Sequence, residues 1–545
     1  MTKLPIGIQT FDAIRNDGYL YVDKTQYLLD LIDSGKAYFL SRPRRFGKSL
    51  TISTFDALFS GKKDLFRGLY AESFFDRRGC GISPVLCLDM SRTVPREGME
   101  EFKASILDEL ESNAARHGIE LKLKRASPSR ALLRLIEDLH RKKGPVVVLV
   151  DEYDKPMLDF LRQPDKAEEV RGILHDFYAQ IKSEDKLIRF VFMTGISKFS
   201  KMGIFSAMNN LKDISSKGKY ASMLGYTEEE LLFYFAEHID ETAAQFGIPR
   251  SGLVARIQDY YDGFSFDGEN RLYNPFSTLN FFDDRAFGNY WFESGTPSYL
   301  ANYVKERDLE AENFRGLEVD ESFTSVAEIE RASPESFLFQ SGYLTVRERR
   351  GRNLVLDYPN KEVLSSVASL FLYGKLKIPN TDSIAAGLEN ALARGDAEEL
   401  VKTYDKLLAT IPYDIYEREE RKYADDKKYE GYRARPLAES FYHAILFTLM
   451  WASRVDTTAE NHSYWGRSDL EARKNGRRYV LELKVADGKK AAEKAAGEAM
   501  KQIREKRYAD KYRGEDTVSI ALAVDRRARR VGGCRIERIK ADMRT

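Results

Sequence analysis

Through residues 1–225, short apolar runs alternate with helical patterns, which predicts a parallel α/β sheet. KAYFL (Lys36–Leu40), SPVLCLDM (Ser83–Met90) and LIRFVFMTG (Leu187–Gly195) read as strands. GPVVVLVDEYD (Gly144–Asp154) is an unbroken apolar run ending in acids, the pattern of a strand covered on both faces. Helical patterns lie between these runs, among them Ser129–Lys143. From about Tyr226 the pattern turns mostly helical, opening on a capping box in which Thr227 stands three residues before Glu230. Ser336–Asn360 reads as a small helical or winged domain with a hairpin, roughly Ser383–Leu408 as a helical stretch, and the polar, tyrosine-rich Tyr413–Arg435 as a junction or insertion. A last α/β unit is expected from a helix at Leu437–Ala452, strands at Ser468–Arg473 and Arg478–Val485, a helix at Lys489–Tyr512 and a strand at Thr517–Val524. The expected domains are 1–225, 226–380, 381–435 and 436–545.

A chain of 545 residues is too long for one core, and 43% hydrophobic with 12% aromatic residues is globular composition. No run of eighteen apolar residues occurs, so no membrane span is expected. MTKLPIGIQTF lacks an apolar h-region, so no secretory signal is expected either. Cys80, Cys87 and Cys534 are too few and too scattered for a disulfide framework or a zinc site, which points to a reducing, cytoplasmic compartment. From Asn461 onward 23 Lys and Arg stand against 13 Asp and Glu, a basic end compatible with nucleic acid or with a solvated surface.

FLSRPRRFGKSL (Phe39–Leu50) ends as a phosphate-binding loop of the form G-x-x-x-x-G-K-[ST] but carries Arg42 where the first glycine belongs. Such a loop wraps phosphates in backbone N–H groups, while a lysine reaches their oxygens and a hydroxyl holds Mg²⁺. Gly47, Lys48 and Ser49 supply those parts, the helix starting near Lys48 adds its positive dipole end, and Arg44 and Arg45 add charge. The loop residues from Arg44 through Phe46 to Leu50 are therefore candidate nucleotide contacts. The acids closing the Gly144–Asp154 run offer Asp151 for the metal and Glu152 to polarise the attacking water. A third strand end carries Thr194, Ser197 and Lys198, where a polar group would sense the terminal phosphate.

With YVDKTQYLLDLI, VDEYDKP, TGISKFSKMGIFSAMNNLKDIS and YDGFSFDGENRLYNPFS, this loop resembles the AAA-ATPase-like family of bacterial and archaeal proteins over residues 4–285. RPRRFGKS is the usual loop in that family, so the resemblance implies a working nucleotide site despite Arg42. It implies ATP and Mg²⁺ as cofactors, Lys48, Ser49 and Asp151 as binding residues, and Glu152 as the catalytic acid. Asn209 and Asn210 lie in a matching block without an assignable role.

In the basic end, SDLEARKNGRRYVLELKV places Asp469 before Glu482 and Lys484, the order D…E-x-K. Two carboxylates to hold Mg²⁺ and a lysine to stabilise phosphate charge are what a metal-dependent nuclease needs. Glu482 and Lys484 stand two apart on an apolar strand and share a face, and a hairpin turning at KNG brings Asp469 near Glu482. The helix Leu437–Ala452 adds Glu439, and His443 one turn on either faces the same cleft or packs. A Glu–Lys pair on a half-exposed strand would give the same pattern without chemistry.

LAESFYHAILFTLM, GRSDLEA, YVLELKV and AMKQIREKRYADKY, over residues 436–525, are similar to the PD-(D/E)xK nuclease superfamily. The resemblance implies Glu439, Asp469, Glu482 and Lys484 as the catalytic and metal set, with Gln502 and Tyr508 facing the cleft. Ser468 replaces the motif's proline.

The expected fold is thus a P-loop, AAA-like parallel sheet with helices on both faces, a helical or winged middle region, and a restriction-endonuclease-like α/β domain. The expected function is an ATPase whose nucleotide state controls a Mg²⁺-dependent nuclease acting on DNA, with no membrane partner and with homo-oligomers completing the ATP sites. The alternatives are a nucleotide-gated module that binds nucleic acid without cutting, and a signalling switch driving oligomerisation.

Overall fold

The structure, a computed structural model, describes every residue except 77–81, 95–96, 122–126, 161–162, 197–207, 296–310, 321–322, 324–332, 379, 418–433, 464–465, 510–511, 513–514 and 540–545. It divides into two compact units, Met1–Gly295 with Phe314–Asn360, and Thr296–Asn313 with Lys361–Thr545.

The first unit is built on a five-stranded, all-parallel sheet of order β2-β3-β4-β1-β5, formed by β1 (Ala37–Ser41), β2 (Val85–Asp89), β3 (Val146–Asp151), β4 (Ile188–Gly195) and β5 (Lys212–Asp213). Every residue of β3 is buried, because helices cover both faces. Side chains alternate across the sheet. Phe190 and Phe192 of β4 pack on Phe55 of the helix Lys48–Phe59. Val191 and Met193 join the opposite cluster with Phe102, Leu135 and Phe177 from the helices Met99–Arg116, Pro128–Lys143 and Pro164–Ser183. The register sets Leu40 opposite Thr194, so β1, β3 and β4 deliver their carboxyl ends to one edge, where sheets of this kind bind ligands.

The same unit continues into helices nucleated by the expected capping box, with Glu230 N–H bonded to Thr227 Oγ1 at 3.2 Å. Phe235, Tyr261, Phe281 and Phe282 form their aromatic core. A small antiparallel sheet of order β6-β8-β7 follows, from β6 (Leu317–Asp320), β7 (Thr345–Arg350) and β8 (Asn353–Asp357).

The second unit carries a mixed sheet of order β13-β12-β11-β10-β9, from β9 (Asp456–Ser463), β10 (Gly466–Lys474), β11 (Arg477–Ala486), β12 (Asp516–Asp525) and β13 (Arg530–Ile539). β10 and β11 form the expected hairpin. Its turn residues Asn475 and Gly476 both take positive φ, 49° and 76°, as a two-residue type I′ connection demands. β11 and β12 run parallel, joined through the helix Lys489–Glu505, whose Ala492, Ala496, Ala499 and Ile503 face inward.

The expected helical stretch Ser383–Leu408 consists of two helices, Thr381–Arg394 and Ala397–Thr410. Gly395 ends the first at φ 79°, and the Asp396 carboxylate caps the second through Glu399 N–H. The helix from Lys489 stops at Glu505 rather than Tyr512. Most of the Tyr413–Arg435 junction lies outside the described residues. Among the described residues no helix is long and apolar enough to cross a membrane.

Candidate functional sites

In the first unit, β1 ends at Ser41, and Gly47 caps the helix Lys48–Phe59 in the left-handed region at φ 93°. Arg45 also takes positive φ, 65°. Among the described residues the N–H groups of Arg45, Phe46 and Gly47 donate to no protein acceptor. Such a run of free donors before a helix N-terminus forms an anion-binding concavity. It opens on a cavity of about 360 Å³ whose polar wall includes Arg44, Arg45, Lys48, Ser49 and Glu152.

Lys48 is buried and donates to the carbonyls of Arg42 and Pro43, both at 2.9 Å. Burial pushes its amino group below the usual lysine range, while Glu152, Asp151 and Asp154 act against that shift. Burial also raises the Glu152 carboxyl above the usual range, opposed by Lys48. Asp151 accepts the Thr194 hydroxyl and, at 3.1 Å, the Glu152 N–H. Lys48 and Glu152 thus meet on the cavity wall, whereas Asp151, beside Glu152 at the strand end, and Thr194, fully buried and bonded to Asp151, are both buried and not part of that wall. Phe46 is likewise turned out of the wall, its ring packed on Phe264 and Phe266. Leu50 lines the cavity. Ser197 and Lys198 lie outside the described residues. Asn209 and Asn210 are exposed turn residues.

The sequence reading missed the apolar wall, made by Ile8, Ile14, Tyr226, Pro275, Phe276 and Leu279. The quoted block ending in YNPFS holds two of these residues, Pro275 and Phe276, but nothing in its pattern says that it folds back onto the loop.

Arg42 resolves the missing glycine. Position 42 does not take positive φ; Arg45 and Gly47 do. The Arg42 guanidinium turns away from the cavity, donates to the carbonyls of Ser41 at 2.9 Å and Ser215 at 2.7 Å, and sits 4.0 Å from the Phe266 ring centre. Burial pushes it down to about 9, so it stays charged at neutral pH. Arg42→Gly would restore the textual motif yet leave buried carbonyls unpaired. It is expected to lower stability by about 3 kcal/mol without strengthening nucleotide binding. Denaturant unfolding and ATP titration check both halves.

In the second unit, Lys484 bridges two carboxylates, its amino group 3.2 Å from Glu482 and 3.3 Å from Glu439. Asp469 Oδ2 accepts the Leu483 N–H at 2.8 Å, where β10 parts from β11. The His443 ring nitrogen lies 2.8 Å from the Asp469 carbonyl, so this histidine braces the strand behind the carboxylates. Gln502 donates to Glu482 Oε1 and lies 3.4 Å from the Tyr508 hydroxyl. Glu439, Asp469, Glu482 and Lys484 therefore converge, with Gln502 and Tyr508 at their side.

Glu482 is fully buried, and its Oε2 has no hydrogen-bond partner among the described residues. Burial and the Asp469 carboxylate push its carboxyl up to about 7, opposed by Lys484. A buried carboxylate oxygen without a donor fits a divalent cation, which takes one or two carboxylates and keeps several waters. Among the described residues, no group of three or more His, Cys, Asp or Glu side chains is placed to hold a metal ion.

A carboxyl with a folded pKa above its unfolded value gives stability that is full below the unfolded value and is lost as pH rises through the folded one. For Glu482 that window runs from the usual glutamate value to about 7. In chelator, the wild type is expected to lose stability on the order of 2 kcal/mol more than Glu482→Gln between pH 5 and pH 8. Parallel unfolding curves at the two pH values would contradict this.

Residues 5–205 match the family described as predicted AAA-ATPase, and residues 437–532 match the PD-(D/E)XK nuclease superfamily. The chain is 37% identical over 548 residues to the protein named "Uncharacterized protein in vnfD 5'region" from Azotobacter chroococcum mcd 1, covering 98% of this chain and 99% of that one. Among solved structures, the Aeropyrum pernix ORC1 protein in complex with DNA aligns over 82% of this chain and 87% of that chain, at 11% identity and a TM-score of 0.23, too low to carry an argument.

Proposed function

The chain belongs to the predicted AAA-ATPase family and carries a C-terminal PD-(D/E)XK nuclease-superfamily domain, and from that premise we propose an ATPase whose nucleotide state controls a nuclease acting on DNA. The observation that carries the reading is the pairing, on one chain, of a free-donor phosphate loop facing Glu152 and a Lys484-bridged carboxylate cluster with an orphaned buried oxygen.

In the first unit, Lys48 leaves the carbonyls of Arg42 and Pro43 for the β- and γ-phosphate oxygens. The apolar wall around Tyr226 and Phe276 receives the base, and Thr194 fixes the Asp151 carboxylate. Glu152, its carboxyl raised by burial, accepts a proton from the attacking water. In the second unit, Lys484 faces the attacked phosphate, Glu439 holds its amino group, and Gln502 orients Glu482. Ser49 and Asp151 would hold Mg²⁺ in one unit and Asp469 and Glu482 in the other, where the metal would neutralise developing phosphate charge. The basic C-terminal end suits a polyanion. A cytoplasmic location and an oligomer that completes the ATP site belong to the same proposal.

One observation favours the second reading, a domain that binds without cutting: Lys484 is already satisfied by two carboxylates, as in a structural ion-pair cluster. The purified full chain, assayed with Mg²⁺ for ATP hydrolysis and for nicking of supercoiled plasmid, separates the two. The primary reading expects both activities. DNA binding that ignores Mg²⁺, with no cleavage, supports the second.

A further inference from the structure

Trp291 lies in the short helix Tyr290–Gly295, far along the chain from the phosphate loop, yet its indole N–H donates to the Arg44 carbonyl at 3.0 Å. The ring is 3% exposed and packs on Phe264 and Tyr343, with centroids 6.0 and 5.2 Å away. A second contact grips the loop beside it. A Cβ on Gly342, which takes φ +89°, would stand 2.6 Å from Pro43 Cβ, so backbone and proline touch directly. The loop is thus held from outside at Pro43, Arg44 and Phe46, while its inner side faces the cavity.

In a trans peptide, the carbonyl of one residue and the N–H of the next point in opposite directions. A carbonyl of Arg44 drawn outward to the indole turns the Arg45 N–H inward. That N–H is one of the free donors, and Arg45 is the non-glycine residue of the loop held at positive φ. We propose that Trp291 is a positioning residue for phosphate binding: its indole N–H sets the Arg44–Arg45 peptide so that the Arg45 N–H meets a phosphate oxygen. The proposal rests on the nucleotide reading above.

The test compares ATP and adenosine affinities in the full chain for wild type, Trp291→Phe and Tyr343→Leu, with melting temperature measured for each. Trp291→Phe keeps an aromatic ring and removes the donor. It is expected to weaken ATP about tenfold while leaving adenosine unchanged. Tyr343→Leu removes packing on Trp291 but not the donor, and is expected to leave the ATP-to-adenosine ratio as in the wild type. A merely structural tryptophan would move both ligands, or neither. ATP affinity unchanged in Trp291→Phe overturns the proposal, as does an equal ATP-specific loss in Tyr343→Leu. A wild type that binds no ATP removes the nucleotide reading itself and is told apart from either result.

Discussion

Lys48→Ala is expected to weaken ATP binding about 100-fold and to abolish hydrolysis, because the side chain supplies charge-assisted bonds to the phosphate oxygens. Lys48 is 5% exposed and lies within the field of Glu152, Asp151 and Asp154. With Lys48 gone, these carboxylates face the triphosphate uncompensated, so repulsion adds to the lost attraction. The substitution also removes two bonds to the loop carbonyls, so a modest fall in melting temperature accompanies it. Isothermal titration gives the affinity and thermal unfolding the stability. A folded Lys48→Ala protein with wild-type ATP affinity would show that the cavity beside Ser49 and Glu152 is not the nucleotide site.

Glu482→Ala is expected to reduce plasmid cleavage by about 10³-fold. Three features of the cluster converge on this carboxylate. Lys484 pairs with it at 3.2 Å, Gln502 donates to it, and its second oxygen is buried without a donor. Truncation leaves Lys484 to Glu439 alone and opens a polar hole beside Asp469. Glu482→Gln preserves the shape, and an equal loss in that variant separates lost charge from lost packing. Retained cleavage in either variant would assign the cutting to other residues.

The central strands β3 and β4 were legible because burial on both faces makes their signal continuous: GPVVVLVD and LIRFVFMTG each contain the strand they predict, and SPVLCLDM does the same for β2, a well-buried edge strand. The other edge strands of the two five-stranded sheets were not. β5 is two residues long, β9 reads DTTAENHS, and β13 reads RVGGCRIERI with much of its length exposed. Such strands carry few apolar residues, since charge and polarity at an edge discourage pairing between chains. The split at Gly395-Asp396 did have a signal, a glycine stop followed by an aspartate cap with Glu399 three residues on.

At the sites, sequence spacing identified residues that a strand or a loop places by itself, such as Glu482 with Lys484, or Gly47 with Lys48. It could not identify partners that arrive through tertiary folding. Tyr226, Phe276 and Trp291 come to the site from far along the chain, Trp291 from 247 positions beyond Arg44, and no local period records that contact. Thr194 was found for the wrong reason: it is at the sheet edge, but its hydroxyl serves Asp151. Arg42 looked like a defect only because a text pattern does not show which loop residue bends the backbone.

Control of one site by the other is the claim that reaches furthest. It is measured by the rate of plasmid cleavage with Mg²⁺, in the presence and absence of ATP, for the wild type and Lys48→Ala. The expected result is a wild-type rate that changes with ATP and a Lys48→Ala rate that does not, both proteins sharing the same nucleotide-free rate. A wild-type rate indifferent to ATP, from a protein that demonstrably binds it, would rule out nucleotide control of the nuclease.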